Sequence, residues 1–193
     1  MKYAAILISF SLTFVLPWRA HGGEPTVQLS STINEFVTIL INTPVSELRA
    51  TGLPDKALEL IHGRFDFVEM TRRALGSHWK SLDPSEQHDF VDGHTYRLLM
   101  TYGRTVRSNG DEKSHYKSEA LEGNFASVET KVIGSGSETS IDYRLHDVNG
   151  QWKVYDMVIE DVSLVKNFRA QFEREIARSS VKELLEKIKQ RNT

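Results

Sequence analysis

The sequence predicts an α+β fold in which several helices wrap around a twisted, four-stranded antiparallel meander sheet. Apolar residues recur at helical spacing over residues 32–107 and again over 165–188, whereas the stretch 114–159 alternates with a period of two. Turns rich in Gly, Asn and Ser interrupt that stretch, as in successive hairpins. At 193 residues, 39% of them hydrophobic, the chain is long enough to enclose a sizeable apolar core.

The amino terminus has the composition of a targeting segment. Lys2 precedes an apolar run over residues 4–16, and small residues follow near position 20. The run is too short to cross a membrane comfortably and is typical of the apolar region of a secretory signal. We therefore expect a signal peptide over residues 1–23, removed on export, and a single exported domain over residues 24–193, with an uncleaved membrane anchor as the alternative.

Three short helices are expected before residue 80. Thr32 and Glu35 form a capping-box pattern, which predicts that the first helix begins there and that it ends before Pro44. The apolar pattern of residues 53–62 predicts a second helix. An acceptor at Asp66 starts the third, which Gly76 is placed to end.

A longer helix follows from a strong start signal at residues 83–86, Asp-Pro-Ser-Glu. It has an acceptor at the cap, proline at the first position and glutamate at the third. The apolar stripe predicts that this helix runs to about Arg107. Gly93 and Gly103 lie within it at a cost of about 1 kcal/mol each, which indicates a kink or a close packing contact.

Four strands are expected next, over residues 114–121, 125–133, 139–147 and 151–159. Their short connections make an antiparallel meander, and Asn149-Gly150 favours a type I′ turn. In the third strand, Ile141, Tyr143 and Leu145 alternate with polar residues, so one face is apolar and the other polar.

Two helices close the predicted fold. Phe168 and Phe172 lie on one face of the first, and Ser180 with Glu183 form a cap for the second. Helices, then a sheet, then helices indicate the α+β class.

Composition excludes several kinds of function. The net charge of −2 carries no clustered basic excess, so no nucleic-acid partner is expected. The chain has no cysteine, which excludes disulfides, thiol nucleophiles and cysteine-ligated metals. The seven histidines have no metal-ligand spacing, and Gly134-Ser135-Gly136-Ser137 joins two strands, whereas a phosphate-binding loop opens a helix. No cofactor or metal is therefore expected.

Asp156 is the one residue for which the pattern leaves a catalytic hypothesis open. It is expected to share a strand face with the apolar residues Trp152, Val154 and Val158. A carboxyl group in an apolar cavity has a raised pKa and serves as a general base, as in a small cone-shaped isomerase. The alternative is a hydrogen-bonded structural carboxylate. A third hypothesis is an adaptor with a filled core, because apolar periodicity does not distinguish a filled core from a lined cavity.

Several segments taken together resemble one known family, the MlaC or toluene-tolerance family of periplasmic phospholipid-binding proteins. The matching segments, in order, are Phe65-Asp66 to Met70 with Ala74-Leu75-Gly76 and Trp79, Ser85-Glu86-Gln87 with Phe90, Leu98-Leu99 with Thr101-Tyr102, Ile141 to Leu145, Gly150 to Asp156, Glu160 to Val165, Asn167-Phe168-Arg169 and Gln171-Phe172. They keep their order over about residues 30–190, nearly the whole mature chain.

This resemblance implies a periplasmic lipid carrier and not an enzyme, with acyl tails held in an apolar cavity between helices and sheet. It implies as partners a phospholipid or related lipid, an inner-membrane MCE/ABC transporter complex and an outer-membrane lipoprotein–porin complex, in a system that maintains outer-membrane lipid asymmetry. The chain departs from the family's pattern at Asp161, where Gly is usual, and at His94, where an aromatic residue is usual. The ligand stays open between phospholipid and hopanoid, because a related branch accompanies hopanoid synthesis.

The candidate cavity lining is chosen from the apolar faces inside the resembling segments and the neighbouring strands. The residues expected to contact lipid are Leu98, Tyr102, Val106, Val128, Ile141, Tyr143, Val154, Met157 and Phe168.

Overall fold

The computed structural model describes residues 23–47, 53–108, 113–134 and 137–190. Its α-helices in these ranges are α1 (Glu24–Asn42), α2 (Asp55–Arg64), α3 (Phe67–Leu75), α4 (Pro84–Ser108), α5 (Leu164–Arg178) and α6 (Val181–Gln190). Its strands are β1 (Lys113–Glu122), β2 (Phe125–Gly134), β3 (Ser137–Val148), β4 (Gln151–Ile159) and β5 (Val162–Ser163). The predicted α+β class is confirmed. The expected signal segment, apart from Gly23, lies outside the described residues, as do Ser135 and Gly136.

The predicted start of the first helix is wrong. Helix α1 begins at Glu24, with Gly23 as its N-cap and a proline in its first turn. Thr32 lies inside the helix, where its hydroxyl donates to the carbonyl of Gln28 (3.1 Å) and accepts from Nε of Arg64 (2.9 Å). A partner from α2 thus occupies the hydroxyl that a capping box would have used.

The start and stop signals of α3 and α4 are confirmed. Asp66 accepts a hydrogen bond from the amide of Glu69 (2.9 Å) at the start of α3, and Gly76 ends that helix at φ +57°. At the start of α4, Asp83 Oδ1 accepts from the amide of Glu86, and Glu86 Oε2 accepts from the amide of Asp83. Both boundaries depend on contacts within one turn of chain, which is why local sequence predicts them.

The strands form one antiparallel sheet in the order β1-β2-β3-β4-β5. The four predicted strands are confirmed, and β5 is an addition of two residues that pairs with the end of β4. Asn149 and Gly150 have φ of 55° and 82°, as the predicted type I′ turn requires. Glu160 and Asp161, between β4 and β5, also have positive φ, of 47° and 64°.

An irregularity in β4 changes the direction in which Asp156 points. Leu145 pairs with Val154, but the preceding residue Arg144 pairs with Asp156, so β4 carries an extra residue at Tyr155. Because residues that pair directly share a face, Asp156 leaves the face on which Val154 packs. The expectation that Asp156 and Val154 share one face is therefore wrong, although both side chains are buried.

Two apolar clusters form most of the core. One, which we call the sheet cluster, joins α1 to the strands and consists of Leu29, Ala126, Val128, Tyr143, Leu145, Trp152 and Val154. The other, which we call the helical cluster, is formed mainly by the four helices α3, α4, α5 and α6. It consists of Phe67, Met70, Ala74, Leu75, Leu82, Phe90, Leu98, Leu164, Val165, Phe168, Phe172, Leu184, Leu185 and Ile188.

Candidate lipid-binding interior

Helix α1 covers one end of the sheet, on the face that we call the inner face. Its Leu29 is fully buried in the sheet cluster. Polar contacts hold α1 in place: Glu119 Oε2 on β1 accepts from the amide of Thr26 (2.9 Å), and Gln28 Oε1 accepts from the amide of Trp152 (2.9 Å). This end of the inner face is consequently closed by a helix fixed at both sheet edges.

The other end of the inner face is only partly covered. Tyr116, Thr130, Ile141 and Ile159 pair in sequence across β1 to β4 and therefore form one row on this face. Tyr116, Ile141 and Ile159 are all partly exposed. The sheet thus presents a row that is apolar except for the buried Thr130 and is partly exposed, which we call the open row.

The open row lies where the two clusters meet. Tyr116 and Ile141 pack against the sheet cluster, and Ile159 packs against the helical cluster. Phe65 and Met157 pack against both clusters. The meeting line of the two clusters, lined by these five residues, is an apolar seam between the sheet and the helices.

The structure distributes eight of the nine predicted lining residues over three settings. Ile141 and Met157 lie at the seam. Those buried in the sheet cluster are Val128, Tyr143 and Val154, and those on the helical side are Leu98, Tyr102 and Phe168, of which Tyr102 is partly exposed. Val106 falls in the last turns of α4, where side chains lie outside the described residues.

Burial affects the two predicted tyrosines in the same direction. The pKa of Tyr143 is raised above its usual range by burial and, to a lesser degree, by the neighbouring Tyr116. The pKa of Tyr102 is also raised by burial. Both phenols therefore stay protonated and uncharged at neutral pH, in keeping with an apolar interior.

Sequence reasoning missed three seam residues, Phe65, Tyr116 and Ile159. Tyr116 lies on β1, where the apolar alternation is weak and a register irregularity follows it. Ile159 is the last residue of β4, and Phe65 joins the sheet only through an isolated bridge to Val154. Strand register is the signal that would have placed Tyr116 and Ile159 in one row with Ile141.

The carboxylate of Asp156 is fully engaged by protein donors. Oδ2 accepts from the hydroxyl of Ser163 (2.6 Å) and from Nη1 of Arg144 (3.1 Å), while Oδ1 accepts from the amide of Val165 (3.1 Å). Ser163 is the N-cap of α5, so Asp156 joins β4 to the start of that helix. These contacts give Asp156 a structural role, as in the alternative of a hydrogen-bonded carboxylate.

His94 lies in the middle of the helical cluster, 1% exposed, with its ring edge-on to Phe168 and Phe172. Its Nδ1 is 2.9 Å from Oγ1 of Thr71, whose hydroxyl donates to the carbonyl of Phe67. Nδ1 is accordingly the protonated nitrogen, and Nε2 has no hydrogen-bond partner among the described residues. Burial and the charge of Arg97 lower the pKa of His94 to about 3.

Two grooves of about 850 and 800 Å³ lie on the surface. The first runs between α4, α5 and α6, with Arg97, Arg174 and Lys187 among its lining residues. The second runs between α1 and α2, beside Arg64. Neither is lined by any of the nine predicted residues, so both are separate from the apolar seam.

Two kinds of feature are absent from the described ranges. No helix there is both long enough and apolar enough to span a membrane. No group of three or more metal-ligating side chains is present in the same ranges.

The fold and the seam define the class of this protein as an α+β domain built around an open antiparallel sheet whose inner face meets helices across an apolar seam. The chain belongs to the family described as MlaC protein, whose model matches residues 30–190. The resemblance inferred from the ordered segments is thereby confirmed.

Two curated relatives match part of the chain. It is 29% identical over 91 residues to the toluene tolerance protein ttg2D of Pseudomonas putida, covering 46% of this chain and 42% of the relative. It is 26% identical over 101 residues to the intermembrane phospholipid transport system binding protein MlaC of Haemophilus influenzae, covering 49% and 47%. The matched segments thus span about half the length of each relative.

A solved structure matches nearly the whole fold. The phospholipid-binding protein from Ralstonia solanacearum, solved in complex with a phospholipid, superposes with a TM-score of 0.78 at 23% identity. The match covers 88% of this chain and 97% of that one. At this identity the likeness establishes the shared fold.

Proposed function

We propose that this chain is a periplasmic phospholipid carrier, a binding and transport protein and not an enzyme. In this proposal it takes a lipid at one membrane complex, an inner-membrane MCE/ABC transporter or an outer-membrane lipoprotein–porin complex, and delivers it to the other. The family membership supports this, as do the relatives named for phospholipid binding and transport.

The observation that carries the proposal is the open row on the inner face of the sheet. A partly exposed apolar row, continuous with buried clusters on both sides, is a surface that hydrocarbon covers favourably. Burial of a methylene contributes about 0.8 kcal/mol, so a sixteen-carbon tail crossing water without cover would cost on the order of 10 kcal/mol. A carrier must offset most of this cost with an apolar surface of its own.

The seam offers such a surface because it separates two clusters that are each already packed. In this proposal the acyl tails enter between Ile141 on the sheet and the helical side, where Ile141, Met157 and Ile159 are only partly buried. The sheet cluster stays closed by α1, whose polar contacts with β1 and β4 hold it to the sheet. We therefore place the tails along the open row and Met157, with the lipid head group toward solvent.

The test is whether lipid co-purifies with the protein and depends on the open row. Organic extracts of the purified protein, analysed by mass spectrometry, should contain phospholipid in stoichiometric amount. Ile141→Trp fills the seam from a partly exposed position and should reduce the bound lipid several-fold while the domain stays folded. Ser140→Trp is the matched control, because Ser140 is the preceding residue, exposed on the opposite face.

The outcomes separate the hypotheses. An extract without lipid, from a folded protein given phospholipid vesicles, would contradict the carrier function and leave an adaptor. Stoichiometric hopanoid in place of phospholipid would keep the carrier and change its cargo. Equal lipid in the two tryptophan variants would contradict the placement of the tails.

A further inference from the structure

The hydroxyl of Tyr116 is a buried polar group without a partner on the inner face of the sheet. Tyr116 pairs with Thr130 on β2 and packs against the sheet cluster. Its Oη is buried and forms no hydrogen bond to the described part of the chain. The adjacent hydroxyl, of Thr130, is satisfied by the carbonyl of Ile141 at 2.8 Å.

An unpaired buried hydroxyl is disfavoured in a folded protein, because it has lost its hydrogen bonds to water without replacement. Phenylalanine would fill the same space without this cost. Burial raises the pKa of Tyr116 to about 12, so the phenol keeps its proton at neutral pH and is available as a donor. Its place in the open row puts that donor beside the surface on which we have placed the acyl tails.

The side chains around Tyr116 determine which lipid oxygen its hydroxyl can bind. Ile33 and Ile141 pack, like Tyr116, against the apolar sheet cluster, and the neighbouring Thr130 hydroxyl donates its proton to the carbonyl of Ile141. An ionised phosphate is strongly disfavoured in such surroundings, whereas an uncharged carbonyl requires only one donor. An acyl ester carries that carbonyl directly at the end of its hydrocarbon tail.

We propose that the Tyr116 hydroxyl donates a hydrogen bond to an ester carbonyl of the bound lipid, so that the protein prefers ester-linked acyl lipids to ether-linked lipids of equal chain length. The inference rests on the proposed carrier function and adds the chemical class of its cargo. It also explains why a tyrosine occupies a position where its hydroxyl has no partner among the residues that the structure describes.

The experiment compares dioctanoyl phosphatidylglycerol with its dioctyl ether analogue, titrated calorimetrically into the purified, lipid-stripped protein. The unaltered protein should bind the ester about two- to tenfold more tightly, the range expected for one net hydrogen bond. In Tyr116→Phe that preference should disappear, with affinity for the ether analogue unchanged. Tyr155→Phe is the matched control and should keep the preference, because Tyr155 packs elsewhere, against Arg73 and Phe125.

A second measurement separates lipid contact from a structural role. The lipid-stripped Tyr116→Phe protein should melt at the same temperature as the unaltered protein or higher, since the substitution removes an unsatisfied group. A lower melting temperature would mean that the hydroxyl stabilises the empty fold, which overturns the inference. Equal binding of ester and ether by the unaltered protein, or a preference retained in Tyr116→Phe, overturns it while leaving the carrier function in place. Binding of neither lipid would overturn the carrier function itself.

Discussion

His94 is expected to make the stability of this protein depend on pH. Its pKa is lowered to about 3 in the folded protein from an ordinary 6.5, first by burial and then by the charge of Arg97. Between these two values the unfolded chain binds a proton at this site and the folded protein does not. The free energy of unfolding therefore falls as pH falls, from below about pH 6.5 down to about pH 3.

The magnitude follows from the two pKa values. The slope approaches 1.36 kcal/mol per pH unit, so lowering the pH from 6 to 4 should remove about 2–3 kcal/mol through this residue alone. For a domain with a stability of about 5–15 kcal/mol, that is a large fraction. The side chain is 1% exposed, so solvent screening reduces the effect little.

Urea titrations at pH 4, 5, 6 and 7 would measure this pH dependence of the unfolding free energy, with His94→Phe as the test variant. Phenylalanine keeps an aromatic ring against Phe168 and Phe172 and removes both the titrating group and Nε2, which has no hydrogen-bond partner in the described part of the chain. The difference in unfolding free energy between His94→Phe and the unaltered protein should grow as pH falls. His88→Phe is the control, since it lies on the same helix with its side chain 75% exposed. A difference for His94→Phe that is constant over this pH range would refute the reasoning.

Two further substitutions test the structural assignments. Asp156→Ala leaves the donors of Ser163, Val165 and Arg144 without their acceptor. It should lower the free energy of unfolding, measured in urea titrations, by about 3 kcal/mol. A loss below about 1 kcal/mol would contradict the structural role of Asp156. Asp161→Gly should raise the thermal midpoint slightly, with a gain of up to about 1 kcal/mol, because Asp161 has φ of 64°, where glycine is unstrained. A lower midpoint for Asp161→Gly would show that the aspartate side chain stabilises that turn.

Local chain chemistry explains which boundaries sequence predicted well. The caps at Asp66 and residues 83–86 and the turn at Asn149-Gly150 are each satisfied by atoms within a few residues, so the sequence pattern contains the whole interaction. The start predicted at Thr32 failed for the opposite reason. The chain before Thr32 is already helical, with Leu29 buried against the sheet, and spacing along the chain does not reveal that distant contact.

The candidate site likewise has one part that the sequence predicted and one part that it did not. Apolar faces of single strands and helices were predictable, which is why Ile141 and Met157 were identified and do lie at the seam. Whether a given apolar residue is packed into a cluster or left at the seam depends on which helix covers it. Val128 and Ile141 have similar sequence settings, yet α1 closes over the first and leaves the second partly exposed.

By itself, the sequence determined the α+β class, most element boundaries and, through an ordered set of short segments, the family. Only the tertiary structure decided strand register, the extra residue that turns Asp156 away from Val154, and the isolation of the Tyr116 hydroxyl. The physical reason is that side chains alternate between the two faces of a strand. This alternation does not tell which face meets the core, and a slip of one residue in the pairing exchanges the faces. Contacts between distant parts of the chain make that choice.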